Sequence, residues 1–334
     1  MGLEQRHDTQ SGFPLSGQLS DKYRQAAVLM VSSSGLSLRR KTEKDRIEQI
    51  RRQVLEARTG YVPWTPLRVA KHVFLEKVME TELKVQPGII IQARVNSGRL
   101  PLKCLFDLNG STMLQHVIRR AKSSGYPVVL ATPDNSGWLA RICQHEGIGP
   151  PYVYPDEDDV LGRYYHCALT QGFDPIMRVT GDCPLIEGGV IKDLFELQKS
   201  GGFDIVGTAR GETALSLGFK RRFPDGLDAE CLTLKLLEWL HNTVQTGTQY
   251  REHVTRWAWE GAASGTADIK YDCLEAPDDY DWLKLSVDTE EDYELMEVIY
   301  KALGDNARWK TVVRSRARIL KSTNLNLRSR LYSK

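Results

Sequence analysis

Gly88-Ile89-Ile90-Ile91-Gln92-Ala93-Arg94-Val95-Asn96-Ser97-Gly98-Arg99-Leu100-Pro101-Leu102-Lys103 marks a change in the texture of this chain. A short β-branched run ends in a loop of small, polar and cationic residues. Beyond it, similar runs alternate with amphipathic helical stretches, which is the pattern of a wound α/β sheet. Strands are expected over 88–92, 127–132, 176–180 and 204–207, with later ones near 269–271 and 283–287. Helices are expected between them over 111–124, 137–146, 159–171, 188–200, 233–244 and 290–303. Ligands in such folds bind at the carboxyl ends of the strands, near a topological switch point. The residues to weigh are therefore those that follow a strand directly.

Outward from this region the sequence reads differently. Residues 1–35 are rich in Gly, Ser and Gln and read as a loosely ordered leader. A helical pattern follows at about 41–57, and a second begins after Thr65-Pro66, a capping residue followed by proline at the first helical position. Residues 36–86 thus form a helical extension of unassigned role, appended to a sheet domain expected over 87–304. Its mixed charge reads as a solvated helical face, so no nucleic-acid partner is expected. Residues 305–334 read as a basic tail: no acidic residue follows Asp305, whereas nine lysines and arginines do.

Bulk composition narrows the class. The 334 residues are 41% hydrophobic and 26% charged, with a net charge of +2, as in a globular protein with no evident polyanion partner. The six cysteines, at 104, 143, 167, 183, 231 and 273, form no CxxC pair and have no histidine at metal-ligand spacing. They read as reduced thiols of a cytoplasmic protein. No apolar run approaches the roughly 20 residues needed to span a bilayer.

Three segments carry candidate chemistry. In the first, Arg94, Arg99 and Lys103 lie within ten residues, in a loop with Asn96, Ser97 and Gly98. Guanidinium groups offer paired donors to phosphate oxygens, and loop amides can add a nest, so the segment suits a triphosphate. A solvated basic loop would have the same composition, and neither a Walker A loop nor a GxGxxG turn is present. In the second, Arg178-Val179-Thr180-Gly181-Asp182-Cys183-Pro184 places a carboxylate just after a strand, a position able to hold Mg²⁺ against phosphates. A turn or cap is the plain alternative. Asp288 repeats this placement after 283–287, and two strand-terminal aspartates can converge on one metal. In the third, Phe223-Pro224-Asp225-Gly226-Leu227-Asp228-Ala229-Glu230 sets three carboxylates around a glycine turn, and Arg251-Glu252-His253 opens a later helix. These residues read equally as turn acids, a strand-face charge and a structural histidine.

Residues 88–304 resemble the cytidylyltransferase family that includes the spore coat polysaccharide biosynthesis protein F-like proteins and the acylneuraminate and 3-deoxy-manno-octulosonate cytidylyltransferases. The family pattern QAR followed by Ser-x-Arg-Leu-Pro-x-Lys is met by Gln92-Ala93-Arg94 and Ser97-Gly98-Arg99-Leu100-Pro101-Leu102-Lys103. Asp158-Asp159-Val160-Leu161-Gly162-Arg163-Tyr164, Thr180-Gly181-Asp182-Cys183-Pro184-Leu185, Phe223–Asp228, Arg251–His253 and Val287-Asp288-Thr289-Glu290-Glu291-Asp292 follow in the family's order. The chain departs from the pattern at Asn96 and Gly98, and at Leu102, where a glycine is common.

The resemblance implies a Rossmann-like nucleotide-diphospho-sugar transferase fold with a mostly parallel mixed sheet, carrying the N-terminal helical extension. It implies transfer of CMP from CTP to an acidic sugar, with release of pyrophosphate, in surface polysaccharide or glycan synthesis. Arg94, Arg99 and Lys103 would hold the phosphates, with Gln92, Ala93, Ser97 and Arg178 beside the nucleotide. Asp182 and Asp288 would bind the catalytic Mg²⁺, so that Arg94, Arg99, Lys103 and Asp182 form the catalytic set. Asp225, Asp228, Glu230, Arg251, Glu252 and His253 would line the sugar pocket. The partners implied are CTP and an acidic sugar, and a homodimer is left open. Three other readings use a similar fold. They are a sugar-1-phosphate nucleotidyltransferase, a glycosyltransferase with Asp156-Glu157-Asp158 as its metal pair, and a nucleotide-binding protein without turnover.

Overall fold

The computed structural model describes residues 85–133 and 137–321, with side chains through Ile319, in one compact unit that begins at Val85. The leader and both helices expected before Val85 lie outside the described residues, as does the end of the chain after Lys321. Nine strands are present among the described residues. They are β1 (Gln86–Gln92), β2 (Asp107–Leu108), β3 (Ser111–Thr112), β4 (Val128–Thr132), β5 (Tyr152–Val153), β6 (Phe173–Thr180), β7 (Ile205–Thr208), β8 (Ala229–Leu232) and β9 (Tyr271–Leu274).

Seven of these strands form one sheet in the order β5-β4-β1-β6-β8-β7-β9. β8 alone runs antiparallel to its neighbours β6 and β7, so the sheet is mixed but mostly parallel. β1 sits centrally because Ile89, Ile90 and Ile91 are all fully buried, and a strand covered on both faces reads as an unbroken apolar run. Gly88 is needed there: a Cβ on it would lie 2.3 Å from the Phe173 ring. Ile89 and Ile91 face one core with Met177, Val179 and Val206, and Ile90 faces a second with Ile176 and Ile205.

The first core is closed by α1 (Met113–Lys122), α2 (Gly137–His145), α4 (Gly188–Gly201), α9 (Glu290–Leu303) and α10 (Trp309–Lys321). The second is closed by α3 (Val160–Gln171), α6 (Leu234–Thr243) and α8 (Arg256–Ser264). Two short helices, α5 (Gly211–Ser216) and α7 (Gln249–Glu252), lie in the connections. Register aligns the functional ends: Gln92 pairs with Thr180, and Val179 with Ala229. The end of β1, the end of β6 and the start of β8 therefore meet on one edge.

Three expectations are corrected. Residues 283–287 are not a strand of the sheet. Leu283, Leu285 and Val287 are buried with the alternation of a strand, but the segment's backbone bonds go to loops. Asp225 N–H donates to the Leu283 carbonyl, Leu285 N–H to that of Asp225, and Val287 N–H to that of Asp182. The late strand expected at 269–271 runs instead over Tyr271–Leu274. Of the stretch read as a basic tail, Trp309–Lys321 forms helix α10, and its Trp309, Val312 and Ile319 are buried in the first core. Its charged residues mask an apolar stripe at helical spacing. Strands β2, β3, β5 and β8 and the short helix α5 have no counterpart among the expected elements, and the helix expected to open at Arg251–His253 is split into α7 and, from Arg256, α8.

Trp309 is 1% exposed, packs edge-on against Tyr280 and Phe223, and donates its backbone N–H to Glu187. Trp309→Ala is expected to cost about 3–5 kcal/mol in urea unfolding, the usual range for deleting a core aromatic. A loss below about 1 kcal/mol would assign α10 to the periphery.

Candidate active site

The loop after β1 folds back on one carbonyl. Ser97 N–H and Leu102 N–H both donate to Val95 O, and Leu102 takes a left-handed conformation (φ 61°) before a short 3₁₀ turn at Lys103–Leu105. Positive φ disfavours a side chain, which accounts for glycine at this place in the family pattern. The turn delivers the Lys103 ammonium to the end of β6. There it donates to Asp182 Oδ2 at 2.9 Å, to Val287 O at 2.7 Å and to Asp288 Oδ1 at 3.2 Å. Asp182 reaches this point because Gly181 lets the ends of β1 and β6 close up. Gly181 N–H donates to Gln92 O, and a Cβ on Gly181 would meet Ala93 at 2.9 Å.

Both carboxylates are held ionised. Burial pushes each aspartate's pKa up, but Lys103 overrides it at Asp182, and Lys103 with Lys284 does so at Asp288, leaving both below the ordinary range. Arg99 also reaches Asp288 Oδ1, at 2.9 Å, from a side chain that is 70% exposed, so this contact is weak by itself. Lys284 approaches the other oxygen, Asp288 Oδ2, at 3.1 Å.

A cleft of about 340 Å³ adjoins this cluster, with Thr180 in its wall. Its floor is a cross-strand pair: Arg178 on β6 lies opposite Glu230 on β8, with Nη1 and Oε2 2.8 Å apart. Thr255 Oγ1 and Trp259 Nε1 also donate to Glu230, and the Arg178 guanidinium stacks over the buried Tyr164 ring. On another wall Arg210, just past the carboxyl end of β7, pairs with Asp225 at 2.8 Å and with Asp228. Burial, opposed by Arg210 and reinforced by Asp225 and Glu230, lifts the Asp228 carboxyl to about 7.

The structure gathers most of the expected residues. Lys103, Asp182, Asp288 and Arg99 form one cluster; Arg178, Asp228, Glu230 and His253 line the cleft, with Asp225 behind Arg210. Gln92 lies at the end of β1, where its buried Oε1 has no hydrogen-bond partner among the described residues; Ala93 packs under Gly181, and Ser97 is half-buried in the loop. Arg94 stands apart, with Nη1 on Glu157 at 3.2 Å and Nη2 3.9 Å from the exposed Glu252.

Arg251 is a correction. It is 4% exposed, its Nε and Nη2 grip both oxygens of Asp159 at 2.7 and 2.9 Å, and Nη1 donates to His241 O. Asp159 in turn caps α3 through Gly162 N–H. No edge of this guanidinium is left for a sugar. Asp156-Glu157-Asp158 is likewise no metal pair, because Asp156 accepts the N–H groups of Asp158 and Asp159 in a turn and Glu157 pairs with Arg94. The sequence reading missed Arg210, Thr255, Trp259 and Lys284. Arg210 follows a strand directly, the same signal that singled out Asp182.

The sequence model of the family described as cytidylyltransferase matches residues 88–262. The chain is 26% identical to the spore coat polysaccharide biosynthesis protein SpsF of Bacillus subtilis over 226 residues, covering 65% of this chain and 87% of that protein. It is 32% identical to the 3-deoxy-manno-octulosonate cytidylyltransferase of an Acidovorax species over 124 residues, 36% of this chain and 47% of the other. A solved cytidylyltransferase from Leptospira borgpetersenii superposes with a TM-score of 0.61 at 26% identity, covering 72% of this chain and 99% of that one.

Removing the Arg251 guanidinium would strand a carboxylate that is only 14% exposed. Arg251→Met is expected to lower stability by about 3–5 kcal/mol, as when one partner of a buried pair is deleted. CTP affinity of the folded variant, measured below its melting temperature, is expected to stay within about threefold of the parent. Lost affinity at unchanged stability would return Arg251 to the ligand site.

Proposed function

Because this chain belongs to the cytidylyltransferase family, a family of nucleotidyltransferases, we propose that it transfers CMP from CTP to the hydroxyl of an acidic sugar and releases pyrophosphate. The observation that carries this reading is the meeting of Asp182 and Asp288 on one ammonium, beside a cleft large enough for a sugar. An acidic acceptor is supported by the octulosonate named for the Acidovorax relative, and by Arg178 and Arg210 in the cleft wall. A place in surface polysaccharide or glycan synthesis is supported by the name of the Bacillus subtilis relative.

The donor set suits Mg²⁺. Two hard carboxylate oxygens converge where a cation, Lys103 Nζ, already sits. No group of three or more potential ligand side chains occurs among the described residues, and Mg²⁺ is commonly held by one or two carboxylates plus substrate phosphates. When bound, the ion would neutralise phosphate charge and lower the pKa of an attacking hydroxyl. The chain's own groups do the rest by positioning. Arg99 and Arg94 would grip phosphate oxygens with paired donors. Gln92, Ala93 and Ser97 would border the nucleotide at the end of β1. Asp225, Asp228, Glu230 and His253 would orient the acceptor, and Asp228, raised to about 7, could take its proton. Little covalent work is required of the protein, and catalysis would come from orientation and charge.

Lys103 has two incompatible duties in this scheme. It cannot both occupy the space between Asp182 and Asp288 and leave that space to a metal. In the nucleotide-free protein it is the ion's competitor, and phosphate is the partner that would draw it away. Lys103→Met is therefore expected to tighten binding of Mn²⁺ to nucleotide-free protein about tenfold, roughly 1.4 kcal/mol, while weakening CTP. Unchanged Mn²⁺ affinity, read by electron paramagnetic resonance, would sink the competition.

The function is tested by mass spectrometry of products from CTP with nonulosonic and octulosonic acids. A CMP-sugar plus pyrophosphate is expected; release of CDP would mean phosphoryl transfer or hydrolysis instead, and a glycosyltransferase, lacking a nucleotide-sugar donor, would form no product. Asp182→Asn and Asp288→Asn should each lower kcat at least about a hundredfold, or 2.7 kcal/mol in the barrier. Near-normal turnover in either folded variant would remove that residue from the metal site.

A further inference from the structure

We propose that Lys284, backed by the buried Asp292, is the positioning residue that presents Asp288 to the metal. The inference rests on the metal reading of Asp182 and Asp288 above and adds residues that play no part in it. Lys284 Nζ lies 3.1 Å from Asp288 Oδ2 and 2.6 Å from Asp292 Oδ2. The two oxygens of Asp288 are thereby given different tasks. Oδ2 is tied to Lys284, whereas Oδ1 faces Lys103, and through it Asp182.

A carboxylate on a freely turning side chain loses entropy when it binds a cation, and fixing one oxygen in advance reduces that loss. Lys284 is suited to the task where its neighbours are not. Arg99 is 70% exposed, and Lys103 touches the same oxygen that the metal would need. Lys284 is 30% exposed and its ammonium is anchored from behind by Asp292, which is 3% exposed. Asp292 is itself tied to the backbone: its carboxylate accepts the N–H groups of Asp288 and Thr289 at 3.0 Å each, capping α9.

The backbone of Lys284 gives the arrangement its reach. Residues 284 and 225 form a bridge, with Asp225 N–H on Leu283 O and Leu285 N–H on Asp225 O. Gly226 makes this approach possible, since a Cβ there would lie 2.3 Å from the Leu285 carbonyl carbon. Lys284 thus stands where the acidic turn of the cleft crosses the segment that carries Asp288, and it ties the metal carboxylate to the wall that holds the acceptor.

The test separates positioning from folding and from plain charge. Binding of CTP is measured twice, by calorimetry in EDTA and as Mn²⁺–CTP by water proton relaxation without acceptor. For Lys284→Met we expect Mn²⁺–CTP affinity and kcat each to fall tenfold or more, while metal-free CTP affinity stays within threefold. Lys284→Arg, which keeps a cation between the two aspartates, is expected to recover most of both. Thr289→Ala weakens the same helix start without touching Asp288 Oδ2; it should lower the melting temperature and leave Mn²⁺–CTP affinity unchanged. Lys284→Gln carries the same expectation as the methionine variant if that variant does not fold. Equal losses of metal-free and metal-bound CTP in Lys284→Met would reduce Lys284 to a diffuse charge, and no loss in either would overturn the inference outright. A parent protein that binds CTP in neither form removes the function on which the inference rests, an outcome distinct from failure of the variants.

Discussion

One ammonium joins three distant parts of this chain. Lys103 Nζ contacts Asp182, Val287 and Asp288 at sequence separations of 79, 184 and 185 residues. Few other groups could do this. A lysine carries three donors on a flexible stem, and here all three find oxygen at 3.2 Å or less. The two carboxylates would repel each other if left alone in this half-buried place, and a cation between them lets both stay ionised. In this structure that cation is Lys103.

The rest of the fold brings these pieces within reach. Parallel pairing of β1 with β6 sets Gln92 beside Thr180, and Gly181 lets the two strand ends touch. Antiparallel β8 then carries Glu230 to Arg178 and starts the cleft beside the same edge. Reversal of a single strand changes what the edge can offer. The start of β8 supplies acids from the turn before it, next to the loops that follow β6 and β7. Basic loop, carboxylate pair and cleft wall therefore share one rim of the sheet.

Charge pairing runs through the whole rim, but its members differ in kind. Arg251 with Asp159 is a closed pair that fastens α7 to the start of α3. Arg178 with Glu230, and Arg210 with Asp225 and Asp228, are paired yet border open space. The first kind specifies the fold; the second can exchange a protein partner for a ligand. Two positions of one motif fall on opposite sides of this division: Arg251 is sealed, whereas His253 is exposed in the cleft wall.

Much of this was legible in the sequence. The isoleucine run of β1, the alternation of strands and helices, and the placement of Asp182 and Asp288 at segment ends are local patterns, readable because side-chain period and turn chemistry act over a few residues. What local pattern could not decide was where backbone bonds end up and which charges are covered. Residues 283–287 have strand alternation yet bond to loops, and Arg308 to Arg318 look like a solvated run although the helix there buries Trp309. Arg251 and Arg210 are equally polar in sequence, and only long-range packing buries one against Asp159 and leaves the other on the cleft. Residue type determined the chemistry available to this protein. Burial and partner, which depend on contacts between distant segments such as those of Arg178 with Glu230 and Arg251 with Asp159, decided which of those groups line the cleft.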